Sequence, residues 1–218
     1  MLTRIKCIPL TETTRISKLV SAAEKRLNKK TGKYCIRTGR GLTWFTQAPN
    51  QGVYESSDLF QFTDFLKELH FSGSSVAVLG GGLKGSSLIL SLFFKNIVAW
   101  EADENIYAAA KNMGTDLGFP YDSIDFRLGD FLEKDRSGSY KISIAEFDAI
   151  YFFKPFNKTF SILMGERLST ARKGAMIISP SLGLPPTALM TIYSKERFRL
   201  ISNGKDKKFG FQVFEKIS

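Results

Sequence analysis

Cysteine, histidine and long apolar runs are the scarce features of this chain. Cys7 and Cys35 are the only cysteines among 218 residues. A chain of this length buries enough apolar surface to stand without a disulfide framework, and nothing in it reads as a secretory leader. Both are therefore expected as free thiols in a reducing cytosol. His70 is the sole histidine, and with two distant cysteines it lacks the spacing of a zinc site, so no metal is expected. Its place just ahead of an apolar run gives it a helix-end or core role rather than a catalytic one. No apolar run approaches the ~20 residues that span a bilayer, which argues for a cytoplasmic protein with no membrane partner. No serine occupies a G-x-S-x-G elbow, so covalent hydrolase chemistry has no nucleophile.

Acidic residues are scarce in one region only. Residues 1–50 hold eleven Lys or Arg against Glu12 and Glu24, a net +9, whereas the remaining 168 residues carry 20 basic and 19 acidic groups, a net +1. A near-neutral body thus carries a basic front end. That charge suits an anionic partner such as a nucleic acid or a phosphorylated small molecule, and it equally suits a solvated helix face that keeps the protein soluble.

What is present begins with alternating helical and strand patterns. Ile16, Leu19, Val20, Ala23 and Leu27 recur at helical spacing behind a threonine-rich start, predicting an amphipathic helix with a basic outer face. Residues 31–54 have no clear period and mix Gly32, Gly39, Gly41 and Gly52 with Tyr34, Trp44, Phe45 and Tyr54, which reads as a long functional loop. Asp58 and Gln61 form a helix-start capping pair, followed by an apolar face of Leu59, Phe62, Leu66 and Leu69.

The most informative segment follows. Ser75 to Leu79 is an apolar strand that stops in Gly80-Gly81-Gly82 and restarts as a helix over Ser86 to Lys95. Glycine permits torsions forbidden to other residues, and the open amides of a helix start favour acceptor atoms, so the segment reads as a nucleotide-cofactor pocket. Strands at Ile97 to Trp100 and Ile124 to Leu128 flank a helix over Asp103 to Leu117. After a less regular Phe131 to Glu146 come a strand from Asp148 to Phe153, a helix around Phe160 to Ala171 and a strand from Ala175 to Ser179. This alternation demands a parallel sheet with helical crossovers. Phe198 to Ile201 and Phe209 to Phe214 flank a turn-rich Ser202 to Asp206, predicting a closing antiparallel hairpin.

Together these elements resemble the class I S-adenosylmethionine-dependent methyltransferases over residues 55–218. The resemblance implies a doubly wound α/β fold, a mostly parallel seven-stranded sheet ending in an antiparallel hairpin. Residues 1–54 then form a basic helical extension with a lid-like loop. It also implies S-adenosylmethionine as cofactor, with Gly80, Gly81, Gly82 and Gly85 under its methionine part, Glu101 on the ribose hydroxyls, Asp130 at the adenine amino group and Phe131 over the ring. Acceptor contacts are expected from Tyr151 and Phe153 of the fourth strand of that fold and from Lys154 and Pro155 at its end. Arg37, Arg40, Trp44 and Tyr54 of the lid are expected to join them. The acceptor itself is a small anionic molecule or a nucleic acid on charge alone.

Two departures from the family pattern stand out. Val78 occupies a place often acidic, and Lys84 one often glycine, where a solvent-facing first-turn lysine or a partner for the cofactor carboxylate is expected. Gly80, Gly82 and Gly85 also satisfy G-x-G-x-x-G with Glu101 about 20 residues from its start, so an NAD-binding oxidoreductase is a competing reading. Against it stand Asp130, the closing hairpin and the absence of a placed catalytic Tyr-Lys pair, Tyr107 and Lys111 falling too early and reading as helix-surface or packing residues. A spermidine-synthase-like aminopropyl transferase and a non-catalytic cofactor-binding module complete the alternatives.

Overall fold

The computed structural model describes residues 10–31, 35–38, 41–45, 53–55, 58–69, 73–113, 121–152, 158–180, 196–202 and 211–218. His70, Arg40, Phe153, Lys154 and Pro155 lie outside them, as does Cys7.

The front end begins with α1 (Leu10–Thr31) and is followed by three short strands, β1 (Cys35–Thr38), β2 (Gly41–Phe45) and β3 (Val53–Glu55). These pair in order as an antiparallel sheet, β1 with β2 and β2 with β3. The expectation of a continuous loop over 31–54 is thereby corrected. Strands of three to five residues broken by glycines leave too few alternations to register as a period.

Next comes α2 (Leu59–Glu68), started by Asp58, whose side chain accepts the amides of Phe60 and Gln61. The large sheet then follows: β4 (Ser75–Leu79), α3 (Gly85–Leu90), β5 (Asn96–Glu101), α4 (Glu104–Ala110), β6 (Ile124–Leu128), β7 (Ala149–Phe152), α5 (Lys158–Ser169), β8 (Met176–Pro180), β9 (Phe198–Ser202) and β10 (Phe211–Lys216). Its order is β6-β5-β4-β7-β8-β10-β9. The first five strands in that order run parallel, while β10 inserts antiparallel between β8 and β9. The expected hairpin is present, with its second strand tucked inside the first. That ending departs from the six parallel strands of a dinucleotide-binding sheet.

Chain order reverses at β4, which lies between β5 and β7. In open α/β sheets the crevice outside the carboxyl ends of the strands at such a reversal is where ligands bind. Val76 to Leu79 of β4 are all buried, as a central strand covered on both faces must be. One face carries Val76, Val78, Ile97 and Ala99 under α1, α2, α3 and α4; the other carries Ala77, Leu79, Ile150 and Phe152 under Met164 and Leu168 of α5.

The front helix is part of this core. Ile16, Val20 and Ala23 are buried against it, Thr13 Oγ1 lies 3.2 Å from Thr63 Oγ1 of α2, and Tyr121 donates to Glu12 at 2.6 Å. At the amino edge of the sheet, away from that crevice, Asp148 accepts the amides of Ser74 and Ser75 at 2.8 and 2.9 Å and pairs with Arg172.

Two helices are shorter than their apolar patterns suggest. In α3 the regular ladder gives way at Leu90: Leu92 and Phe93 donate three residues back, and the Ser91 hydroxyl donates to the Leu88 carbonyl at 2.8 Å. In α4 the helix stops at Ala110, with Lys111 to Met113 as turn.

Candidate active site

The glycine turn leaves β4 with Gly80 at φ 80° and Gly82 at φ 51°, torsions that bend the chain across the carboxyl edge of the sheet. Gly80 and Gly81 both donate to the carbonyl of Trp100 on β5, at 3.0 and 2.7 Å. The glycines divide by what a side chain would meet. At Gly80 a Cβ would have only Phe131 Cε1 near it, at 4.0 Å, so this backbone faces open space. At Gly81 it would fall 2.6 Å from Phe126 Cε2, and at Gly85 3.1 Å from Val20 Cγ2 and 3.3 Å from Leu59 Cδ2. Gly81 and Gly85 are thus glycine because a ring of β6 and the helices α1 and α2 press on them. The consecutive glycines look alike in sequence, and only the packing separates them.

Glu101 ends β5 and is 8% exposed. Its Oε2 accepts the Gly82 amide at 2.8 Å and its Oε1 the Asp103 amide at 2.9 Å. Burial raises this carboxyl above the ordinary glutamate value, the two amides pulling it only part of the way back. The third strand end is close by: Gly129 donates to the Glu101 carbonyl at 2.9 Å, and Asp130 accepts the Leu132 amide at 2.8 Å, fixing the turn that carries the buried Phe131. Gly80, Glu101, Asp130 and Phe131 therefore come together at one crevice. Each oxygen of Glu101 accepts one amide and retains a further lone pair, an acceptor set that fits the two hydroxyls of a vicinal diol beside an open glycine backbone.

Lys84 corrects its expectation as a solvent-facing residue. It sits at φ 62° as the residue before α3 and is only 6% exposed. Its Nζ donates to the carbonyls of Lys111 and Met113 beyond α4, both at 3.2 Å, and lies 5.1 Å from the Phe126 ring centre. Burial pushes its ammonium below the ordinary lysine value. Since its charge is spent on the end of α4, it clamps the glycine turn rather than reaching a ligand carboxylate. Tyr107 stacks on the other partner, Phe126, at 5.3 Å between centroids, and is a packing residue as expected.

Among the expected acceptor contacts, Tyr151 is 1% exposed, with its ring 4.9 Å from Phe62 and its hydroxyl 3.1 Å from Ser86 Oγ. Its side chain belongs to the core beneath α2 and α3, because strand alternation turns position 151 to that face. In the small sheet, Arg37 pairs with Leu42, and Trp44 pairs with Cys35 and Tyr54. This register places positions 37, 44 and 54 on one face.

One polar position escaped the sequence reading. Gln212 pairs with Ser179 between β10 and β8, both 1% exposed, and the Gln212 Oε1 has no hydrogen-bond partner among the described residues. The signal was a glutamine inside the apolar run Phe211 to Phe214.

The fold is similar to that of solved structures. Over 92% of the chain and 98% of the other, the fold matches a TehB-like SAM-dependent methyltransferase from Corynebacterium glutamicum, with a TM-score of 0.54 and 13% identity. The chain has the class I methyltransferase fold. A methyltransferase from Geobacter sulfurreducens matches over 92% of this chain and 90% of its own, with a TM-score of 0.54 and 17% identity. The M1A22 tRNA methyltransferase TrmK of B. subtilis matches over 72% and 65%, with a TM-score of 0.51 and 19% identity. No protein-family model and no curated protein sequence matches the chain. The β4 turn, the end of β5 and the turn after β6 frame the crevice described above.

Proposed function

We propose that the protein transfers a methyl group from S-adenosylmethionine to an anionic acceptor. The observation that carries the reading is Glu101, a buried carboxylate at the end of β5 held against the Gly82 amide beside the open backbone of Gly80. Glu101 would hold the ribose hydroxyls, Asp130 the adenine amino group and Phe131 the ring face, with Gly80 and Gly82 along the methionine part. The cofactor supplies an electrophilic methyl on a sulfonium. The protein's share is then to align the acceptor in line with that methyl and to keep water out, work that needs no obligatory acid or base.

Acceptor contacts are assigned to Arg37, Arg40, Trp44 and Tyr54 of the front segment and to Phe153, Lys154 and Pro155 after β7. What supports this is the shared face of positions 37, 44 and 54 in the small sheet and the place of residues 153–155 directly after a strand that ends at the crevice. Tyr151 acts beneath the turn through packing.

A thermal-shift screen with S-adenosylmethionine, S-adenosylhomocysteine, NAD and decarboxylated S-adenosylmethionine tests the cofactor. A selective ligand at a hundredfold excess over its Kd stabilises the native state by roughly 2.7 kcal/mol. Shifts with the first two alone are expected. A shift with NAD alone, or with none of the four, overturns the proposal.

A further inference from the structure

Past its first residue, the exposed Leu10, the outward face of α1 is chemically uniform as far as residue 26. From residue 11 to residue 26 the exposed side chains are Thr11, Arg15, Lys18, Ser21, Lys25 and Arg26, hydroxyls and cations only. At about 100° per residue the four cations fall within an arc of roughly 100°, opposite the buried Ile16, Val20 and Ala23. The two acids of this region are both turned away: Glu12 takes the Tyr121 hydroxyl at 2.6 Å and Glu24 is buried. No exposed carboxylate therefore offsets the stripe on its own helix.

The direction of α1 links the stripe to the crevice. Glu12 is bonded to Tyr121, which stands just before β6 and so marks the amino edge of the sheet. Val20 packs against Gly85, which follows β4 and marks the carboxyl edge. The helix thus climbs the sheet and has about 16 Å still to run, over the eleven residues from Val20 to Thr31. That portion carries the exposed Lys25 and Arg26, with Lys29 and Lys30 following in sequence.

We infer that this face of α1 is a docking surface for the phosphate backbone of a nucleic acid, laid along the helix toward the carboxyl-edge crevice. Phosphate oxygens are bound by arginine, lysine, serine and threonine, the side chains exposed here. A surface for another protein would instead expose aromatic or aliphatic anchors, and none is exposed between residues 11 and 26. The inference rests on the methyl-transfer reading for what the docked strand is brought to, while the binding itself does not.

The test measures binding of a short fluorescent RNA, a DNA of the same sequence and polyglutamate to the full chain across a salt series. One variant combines Arg15→Gln, Lys18→Gln, Lys25→Gln and Arg26→Gln. A charge-matched control combines Lys95→Gln, Arg136→Gln, Lys173→Gln and Arg197→Gln, four exposed positions elsewhere. The expected result is polynucleotide binding that weakens roughly tenfold or more in the α1 variant, with the slope of log K against log salt flattening by about 0.7 per contacting charge removed. The control keeps near-wild-type slope and affinity. Equal losses in both variants, no loss in the α1 variant, or preference for polyglutamate overturns the inference. S-adenosylhomocysteine titration of the same samples separates the two proposals: polynucleotide binding without nucleoside binding defeats the cofactor assignment and leaves the docking surface standing.

Discussion

Glu101 on β5 and Gly82 in the turn after β4 are joined by a 2.8 Å hydrogen bond from the glycine amide to the carboxylate. One side chain thereby both shapes the glycine turn and lines the crevice beside it. Replacing it removes two effects together, since the amides of Gly82 and Asp103 lose their acceptor when the ligand does.

Glu101→Gln should weaken S-adenosylhomocysteine binding by about 1 to 3 kcal/mol, the scale of a hydrogen bond to a charged group. The pH dependence has a definite sign. Hydroxyl donors favour the ionised carboxylate, and burial raises the value at which Glu101 takes up a proton. Affinity should therefore fall with decreasing pH from above the ordinary glutamate range, while the Gln variant shows no such acid limb. Calorimetry across that range checks both statements, and a wild-type profile flat down to the ordinary carboxylate range contradicts the assignment.

Gly80→Ala and Gly81→Ala should fail in different ways. At Gly81 the new methyl meets Phe126, itself stacked on Tyr107 and covered by Lys84, so destabilisation of roughly 1 to 3 kcal/mol is expected in urea melts. At Gly80 the methyl enters open space, leaving only the cost of its positive φ, about 1 to 2 kcal/mol. Nucleoside affinity per folded molecule should nevertheless drop more for Gly80→Ala, because its methyl stands where a ligand approaches the backbone.

At Lys84 the order of alanine and glycine should be opposite to that of a helix interior. Both substitutions lose the donor to Lys111 and Met113, but alanine keeps a side chain at φ 62° whereas glycine relieves it. Lys84→Gly should be more stable than Lys84→Ala by about 1 kcal/mol, the preference of a helix N-cap for glycine over alanine acting in the same direction. Matched urea denaturations decide it, and an alanine variant at least as stable as the glycine one counts against a strained, clamped turn.

The strand and helix order from β4 to β10 was legible because strands of four to six residues, the central ones apolar and buried, alternate with helical patterns, and because glycine marks the turn between β4 and α3. Glu101, Asp130 and Phe131 were legible for the same reason: each stands at or just past a strand end, so sequence position alone places it at the carboxyl edge. The small sheet over 35–55 was not legible, since its strands are too short and glycine-broken to show a period. Lys84 was misplaced because an isolated cation near a helix start belongs in water unless something else takes its charge, and the carbonyls that do so lie 27 and 29 residues away.

Sequence by itself determined the class of fold, the sheet edge at which Gly80, Glu101, Asp130 and Phe131 gather and the concentration of positive charge in the first 50 residues, all consequences of local pattern and composition. Tertiary structure alone decided which glycines open on the crevice and which are pressed by Phe126, Val20 and Leu59. It also decided that Tyr151 packs inward and that α1 turns both of its acids inward while Arg15, Lys18, Lys25 and Arg26 face out. Those outcomes depend on contacts between residues far apart in the chain, and such contacts exist only once the helices have closed over the sheet.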